Sequence, residues 1–320
     1  MPLSPRCNTS KVQVRWYGKK PRSGTRTGFA DRELSRLSVP PIGARSRPVV
    51  HSARVLTSDE VEAFVDDGFV VRRGAVPREI IDACRPAIDA GMSASGVDLD
   101  DEATWDGPIV RFECPNETSF GEAAAQPGLW EVYDQLIGTG RWNRHRVMTG
   151  TVIARFPHAD APFDTGWHID GSFDIDDDWW VNVRSRQRGL LCFFLLTDVG
   201  PDDSPTEVKV GSHLDVPAML DPYGDTGTSY QTIAHSLPRS TLERPSVFAT
   251  GRAGDVMVCH PFLVHRVTWP SALTRPRLVA QVAVKMQGAF PLDTSAASPV
   301  ERAILRALEA VRGGASAHST

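Results

Sequence analysis

Long apolar runs are what this 320-residue chain most plainly lacks. No stretch approaches the roughly 18 apolar residues that a membrane-spanning helix requires, and no apolar segment follows the basic start as a secretory signal would. Cysteine is sparse. Cys7, Cys84, Cys114, Cys192 and Cys259 are odd in number, scattered, and contain no C-x-x-C pair. That spacing argues against a disulfide framework or a cysteine-built zinc site and fits a reducing compartment, so a cytoplasmic protein without membrane contact is expected. Internal repeats and nucleic-acid-recognition motifs are also missing, which points away from solenoids and from nucleic-acid partners.

Charge is present in both signs but unevenly spread. Residues 1–50 hold 11 Lys and Arg against only Asp31 and Glu33, whereas the other 24 basic and 37 acidic residues leave the rest net negative. The basic head has no hydrophobic periodicity and carries Pro40-Pro41, so it reads as a disordered tail. A single folded domain is expected over 51–320.

That domain opens with helices. Thr57-Ser58-Asp59-Glu60 is a capping box, followed by Val61, Phe64 and Val65 on one helical face and stopped by Asp67-Gly68. Pro77 opens a second helix, and 127–138 carries a third amphipathic pattern. After Gly140 the pattern turns to strands: 147–156, 190–196, 206–210, 256–259 and 278–284. The run Leu190–Leu196 is apolar throughout and predicts a central strand buried on both faces. Residues 171–180 are predicted as an acidic loop, and Arg184, Arg186 and Arg188 as one charged, solvated strand face. Ser298-Pro299-Val300-Glu301 starts a last helix, with Gly313 as its stop. Helices, then many short strands, then a helix imply an antiparallel β core with helices packed on it. A jelly roll is the form that encloses a pocket.

The chemistry centres on Trp167-His168-Ile169-Asp170. On a strand, alternate side chains share a face, so His168 and Asp170 point to the same side. A second imidazole would complete a two-histidine, one-carboxylate set that leaves positions on a non-haem iron open. His265, 95 residues beyond Asp170, is the candidate for it. His213 reads better as a turn residue, and His260 as either a support for a ligand or a strand-end residue. Arg275 and Arg277 follow just before an apolar strand, and arginine suits a fixed clamp for a dicarboxylate.

Taken together, Leu56-Thr57, Phe64 and Asp67-Gly68-Phe69-Val70-Val71, then the W-H-I-D stretch, Asp202-Asp203-Ser204-Pro205-Thr206, Gly211-Ser212-His213, Gly254-Asp255, His260-Pro261, His265 and Arg277 resemble the phytanoyl-CoA dioxygenase-like Fe(II)- and 2-oxoglutarate-dependent oxygenases, in order across about 54–284. The resemblance implies a double-stranded β-helix (jelly-roll, cupin-like) core with N-terminal helices and a C-terminal helix. It implies Fe(II) on His168, Asp170 and His265, 2-oxoglutarate on Arg277, with Arg275 as runner-up and Arg155 as a further basic residue, O2 as cosubstrate and ascorbate as a reductant. The activity implied is hydroxylation of a small molecule with release of succinate and CO2. A jelly-roll metal protein without oxidative chemistry, an isomerase, hydrolase or ligand-binding module, is the alternative, since the same three ligands would serve it.

Overall fold

The computed structural model of the protein describes residues 55–317 apart from 161, 163, 270 and 271, so the basic segment 1–50 lies outside the described residues. The chain enters through α1 (Ser58–Asp67), whose N-terminus closes as a capping box: Thr57 Oγ1 accepts from Glu60 N–H, and Glu60 accepts from Thr57 N–H. Gly68 ends α1 with φ 88°. A β-carbon there would meet His213 Nδ1 at 2.5 Å, so this position is restricted both by conformation and by space. The chain continues through β1 (Phe69–Arg72), α2 (Arg78–Ala83), α3 (Arg85–Ser93), β2 (Ile109–Glu113), α4 (Thr118–Ala124), α5 (Pro127–Ile137) and β3 (Gly150–Arg155).

Nine further strands follow among the described residues: β4 (Phe173–Ile175), β5 (Asp178–Val181), β6 (Arg188–Leu195), β7 (Thr206–Lys209), β8 (Thr228–Ser229), β9 (Ser246–Phe248), β10 (Val256–Cys259), β11 (His265–Val267) and β12 (Arg277–Lys285). Short helices lie between β7 and β9, and α6 is used here for the C-terminal helix, Pro299–Ala317. The main sheet has the order β1-β10-β6-β12-β3-β2, entirely antiparallel, and a three-stranded sheet β11-β7-β9 faces it; β4-β5-β8 form a third. The sheets do not close into a barrel. β6 is buried along its whole length, as its unbroken apolar run predicts.

Alternation along the main-sheet strands sorts two apolar layers. Cys192, Phe194, Val258, Ala280 and Val282 pack toward the helices with Tyr133, Leu136 and Ile304. Leu191, Phe193, Leu195, Met257, Cys259 and Val279 pack toward β7 at Val208. Apolar area removed from water on both faces, at about 25 cal/mol per Å2, is what makes this sheet the rigid floor of the site. Among the described residues, no helix is long and apolar enough to cross a membrane.

Three expectations need correction. Residues 171–180 are not a loop: β4 and β5 form a hairpin turned by Asp176 (φ 51°) and Asp177 (φ 66°), a left-handed pair that acids tolerate better than most residues. The stretch 184–187 is a turn, with Ser185 (φ 42°) and Gln187 (φ 68°) left-handed, so the three arginines share no strand face. Gly313 does not stop the last helix, which runs on to Ala317; helical glycine costs only about 1 kcal/mol relative to alanine.

His213 and His260 are both buried, with ring centroids 4.7 Å apart. His213 Nε2 lies 3.1 Å from Val65 O, and His260 Nε2 lies 3.2 Å from Val300 O. Burial, helped by Arg244 and Arg306 and opposed by the Val65 carbonyl and Asp215, pushes the His213 imidazole down to about 4. Burial, and next His213, likewise pushes His260 well below its ordinary value. Histidine in the unfolded chain titrates near 6.5, so between about 6.5 and 4 the unfolded state binds protons that the folded state refuses. The associated stability is complete above pH 6.5 and is lost as pH falls toward 4, on the order of 3 kcal/mol for His213. Urea midpoints measured from pH 7.5 to 4.5 should therefore fall less steeply in His213→Gln than in the wild type; parallel profiles would contradict this.

Candidate active site

The site forms where two distant stretches become one short antiparallel ladder. His168 N–H donates to His265 O at 3.0 Å, and His265 N–H donates to His168 O at 2.9 Å. Residues paired in this way project their side chains to the same face, and the two imidazoles lie with centroids 4.5 Å apart. Asp170, two residues after His168, returns to that face. Its Oδ1 is 3.9 Å from His168 Nε2 and 3.7 Å from His265 Nε2. The three ligand atoms all fall within 4.8 Å of one another.

Each imidazole is held from behind. His168 Nδ1 donates to Gly166 O at 2.8 Å, and His265 Nδ1 donates to Leu263 O at 2.9 Å. A carbonyl only accepts, so both protons sit on Nδ1 and both Nε2 lone pairs face inward. His265 Nε2 is buried and has no hydrogen-bond partner among the described residues. Burying such an atom is costly unless a metal or ligand engages it.

Electrostatics favour the ligand forms of these groups. Burial, and next the neighbouring His168, pushes His265 down to about 4, leaving its imidazole neutral at neutral pH. Burial alone would raise the Asp170 carboxyl, but Arg188, both imidazoles and the Gln281 hydrogen bond hold it well below the usual carboxylate range. A neutral imidazole at His265 and an ionised carboxylate at Asp170 are forms in which these groups bind a divalent transition metal.

The two arginines before β12 have different fates. Arg275 is exposed, whereas Arg277 is only 2% exposed and points inward. Arg277 Nη2 donates to Thr206 Oγ1 at 3.0 Å, and its Nε is buried without a partner among the described residues. Burial, then the nearby Arg155, lowers Arg277 to about 9, which still leaves it cationic at neutral pH. Arg155 is its direct cross-strand partner and is 4% exposed. Asp164 neutralises Arg155 through Oδ2 at 2.6 Å and also pairs with Arg111.

His213 and His260 bond to the backbone near helices, away from the three ligand atoms. Trp167, on the opposite face from His168, is stacked between Lys209 at 4.7 Å and Arg266 at 4.3 Å. Three residues beside the ligands have no site role in the sequence reading: Gln281, Asp164, and Arg188, which is read there as part of a solvated strand face but is buried. Gln281 carried a signal, being a lone polar residue on the Arg277 face of an apolar strand. Arg188 and Asp164 sit at the ends of loops whose path alternation does not describe.

The fold is that of a jelly-roll protein, and His168, Asp170 and His265 are grouped so that they could hold a metal ion. The family profile described as "Phytanoyl-CoA dioxygenase (PhyH)" matches residues 64–267, more than half of the chain, and the protein belongs to that family. Arg277 lies beyond the matched stretch. A search of curated protein sequences found no match. Among solved structures, the non-heme alpha-ketoglutarate-dependent carbocyclase SnoK of nogalamycin biosynthesis superposes with a TM-score of 0.54 at 16% identity, covering 75% of this chain and 87% of its own. A putative oxidoreductase from Salmonella typhimurium LT2 gives 0.50 at 12% identity, covering 72% and 70%. HygX from Streptomyces hygroscopicus, with nickel, 2-oxoglutarate and hygromycin B bound, gives 0.44 at 16% identity, covering 72% and 88%. The first two likenesses establish the shared fold.

Breaking a buried ion pair by removing one member leaves the other charge uncompensated, at about 3 kcal/mol or more. Asp164→Asn removes the carboxylate between Arg155 and Arg111 beside Arg277, and a clear drop in the thermal unfolding midpoint is expected. An unchanged midpoint would show that Asp164 does not neutralise this corner.

Proposed function

We propose that this protein is an Fe(II)- and 2-oxoglutarate-dependent dioxygenase that hydroxylates an unactivated C–H bond of a small organic molecule, releasing succinate and CO2. One observation carries the reading: two Nε2 atoms and one Oδ1 converge with their lone pairs unengaged, and the most buried of them, on His265, has no other partner. Family membership gives the same class of chemistry its context.

In this reading His168, Asp170 and His265 hold iron through Nε2, Oδ1 and Nε2. Iron with 2-oxoglutarate and O2 supplies oxidation of the substrate coupled to decarboxylation of the cosubstrate. The protein's own residues do the positioning. Nδ1 bonds to Gly166 and Leu263 fix the imidazole planes. Arg277, fixed by Thr206 and buried beside Arg155, receives the far carboxylate of 2-oxoglutarate, with its spare Nε–H as a donor. Asp164 keeps Arg155 from competing for that carboxylate. The apolar inner layer around Phe193 and Val279 excludes water from that end.

Oxidative ring closure is the rival outcome, because SnoK, with the same fold, carries the name carbocyclase. Product analysis after substrate screening separates the two: hydroxylation adds one oxygen atom to the product, whereas ring closure removes two hydrogens. O2 consumption that depends on 2-oxoglutarate would exclude a metal site without oxidation.

Purified protein with Fe(II), ascorbate and 2-oxoglutarate should release succinate slowly without substrate, and Asp170→Ala should abolish that release. Equal rates in the two proteins would end the assignment. Arg277→Met should weaken 2-oxoglutarate binding tenfold or more, the loss of a buried charge-assisted clamp, while Arg275→Met should leave it unchanged. The opposite ranking, read by titrating the visible absorption of the iron complex, would move the clamp to Arg275.

A further inference from the structure

Asp170 is carried by a connecting segment between β3 and β4, not by a strand, yet its two oxygens are divided sharply. Oδ1 faces His168 and His265. Oδ2 accepts from Gln281 Nε2 at 2.7 Å and lies 2.8 Å from Arg188 Nη1. Gln281 comes from the middle of β12 and Arg188 from the first position of β6, adjacent strands of the rigid main sheet. From this geometry we infer that Arg188 is a positioning residue for the metal centre: with Gln281 it occupies Oδ2, so that Asp170 binds through one oxygen only. The inference rests on the reading of the three ligands as an iron site and adds a role for a residue that touches none of the reacting atoms.

The local backbone supports this. Arg188 is 8% exposed. It follows Ser185 and Gln187, both held at positive φ, a strain that non-glycine residues accept only where the surroundings over-determine it. The turn is locked on itself: Ser185 Oγ donates to Arg188 O at 2.8 Å, and Arg188 N–H donates to Ser185 O at 3.1 Å. Opposite Arg188, the β6–β12 pairing shifts register at Val284 and Lys285. Turn and bulge together aim a guanidinium, whose pair partner among the described residues is Asp170, at the oxygen that the imidazoles do not face.

The chemical consequence is the number of open positions. A carboxylate free to turn would present both oxygens to the metal and fill a position that a cosubstrate binding through two atoms and O2 would need. Holding Oδ2 in an ion pair and a hydrogen bond removes that option and leaves three of about six positions free. Partners of ligands in this relation typically change metal affinity 10–100-fold when removed.

Co(II) under anaerobic conditions, with its visible absorption, serves as the probe on the full chain. Arg188→Met is expected to weaken Co(II) binding about tenfold or more and to alter the absorption of the saturated protein, a signature of changed coordination that loss of packing alone does not produce. Arg188→Lys, which keeps a cation at the site, should recover much of both. If Arg188→Met fails to unfold cooperatively, Gln281→Met reads the same clamp from its neutral side and should show the same spectral change at a smaller loss of affinity. Wild-type affinity and spectrum in a folded Arg188→Met protein, or in Gln281→Met where that variant stands in, would overturn the clamp and leave the iron site standing. Co(II) binding that is absent from the wild type, or equal in His265→Ala, would overturn the iron site and the clamp with it.

Discussion

Two hydrogen bonds between the main chains of His168 and His265 are the constraint on which this structure turns. They join residues 97 positions apart and make the first rung between a loop-borne motif and the smaller β-sheet. Strand geometry then does the rest. Side chains of directly paired residues share a face, and Asp170 rejoins that face two residues on. Neither imidazole needs a long or flexible side chain to reach the centre, and each is stopped from turning by a carbonyl within its own segment.

The main sheet contributes through the polar side chains it admits to its otherwise apolar inner layer. Arg155, Arg277, Gln281 and Arg188 sit on strands β3, β12 and β6 beside Leu191, Phe193 and Val279. Buried polar groups are expensive unless paired, and their pairings here are specific: Arg155 with Asp164, Arg277 with Thr206, Gln281 and Arg188 with Asp170. Among the buried polar atoms that remain without hydrogen-bond partners, the Nε–H of Arg277 and the Nε2 lone pair of His265 lie where a cosubstrate and a metal would sit. The helices on the other face of the sheet, with Tyr133, Leu136 and Ile304 in their common layer, keep this floor from shifting.

Much of this was readable from the chain, for physical reasons that also mark where reading failed. Alternation along extended backbone puts His168 beside Asp170, although that segment is a connection and not a strand, and alternation along β12 puts Gln281 on the face of Arg277. The apolar run 190–196 announces a strand covered on both sides. Alternation says nothing about segments whose backbone leaves the extended region, and there the reading went wrong. Left-handed Asp176 and Asp177 make a hairpin of a supposed loop, and left-handed Ser185 and Gln187 detach Arg188 from Arg184 and Arg186. Helix α4, with Phe120 and Ala123 buried, is too short to show a period. The reach of α6 past Gly313 follows from a helix context that tolerates glycine.

The account stands or falls on whether these three side chains together hold one metal ion. X-ray absorption at the iron edge of anaerobically Fe(II)-loaded protein tests that directly. Two imidazole ligands, the rest of the shell oxygen, and one imidazole fewer in either His168→Ala or His265→Ala are the predicted result. A shell with no imidazole scattering, or one that neither substitution changes, would contradict it.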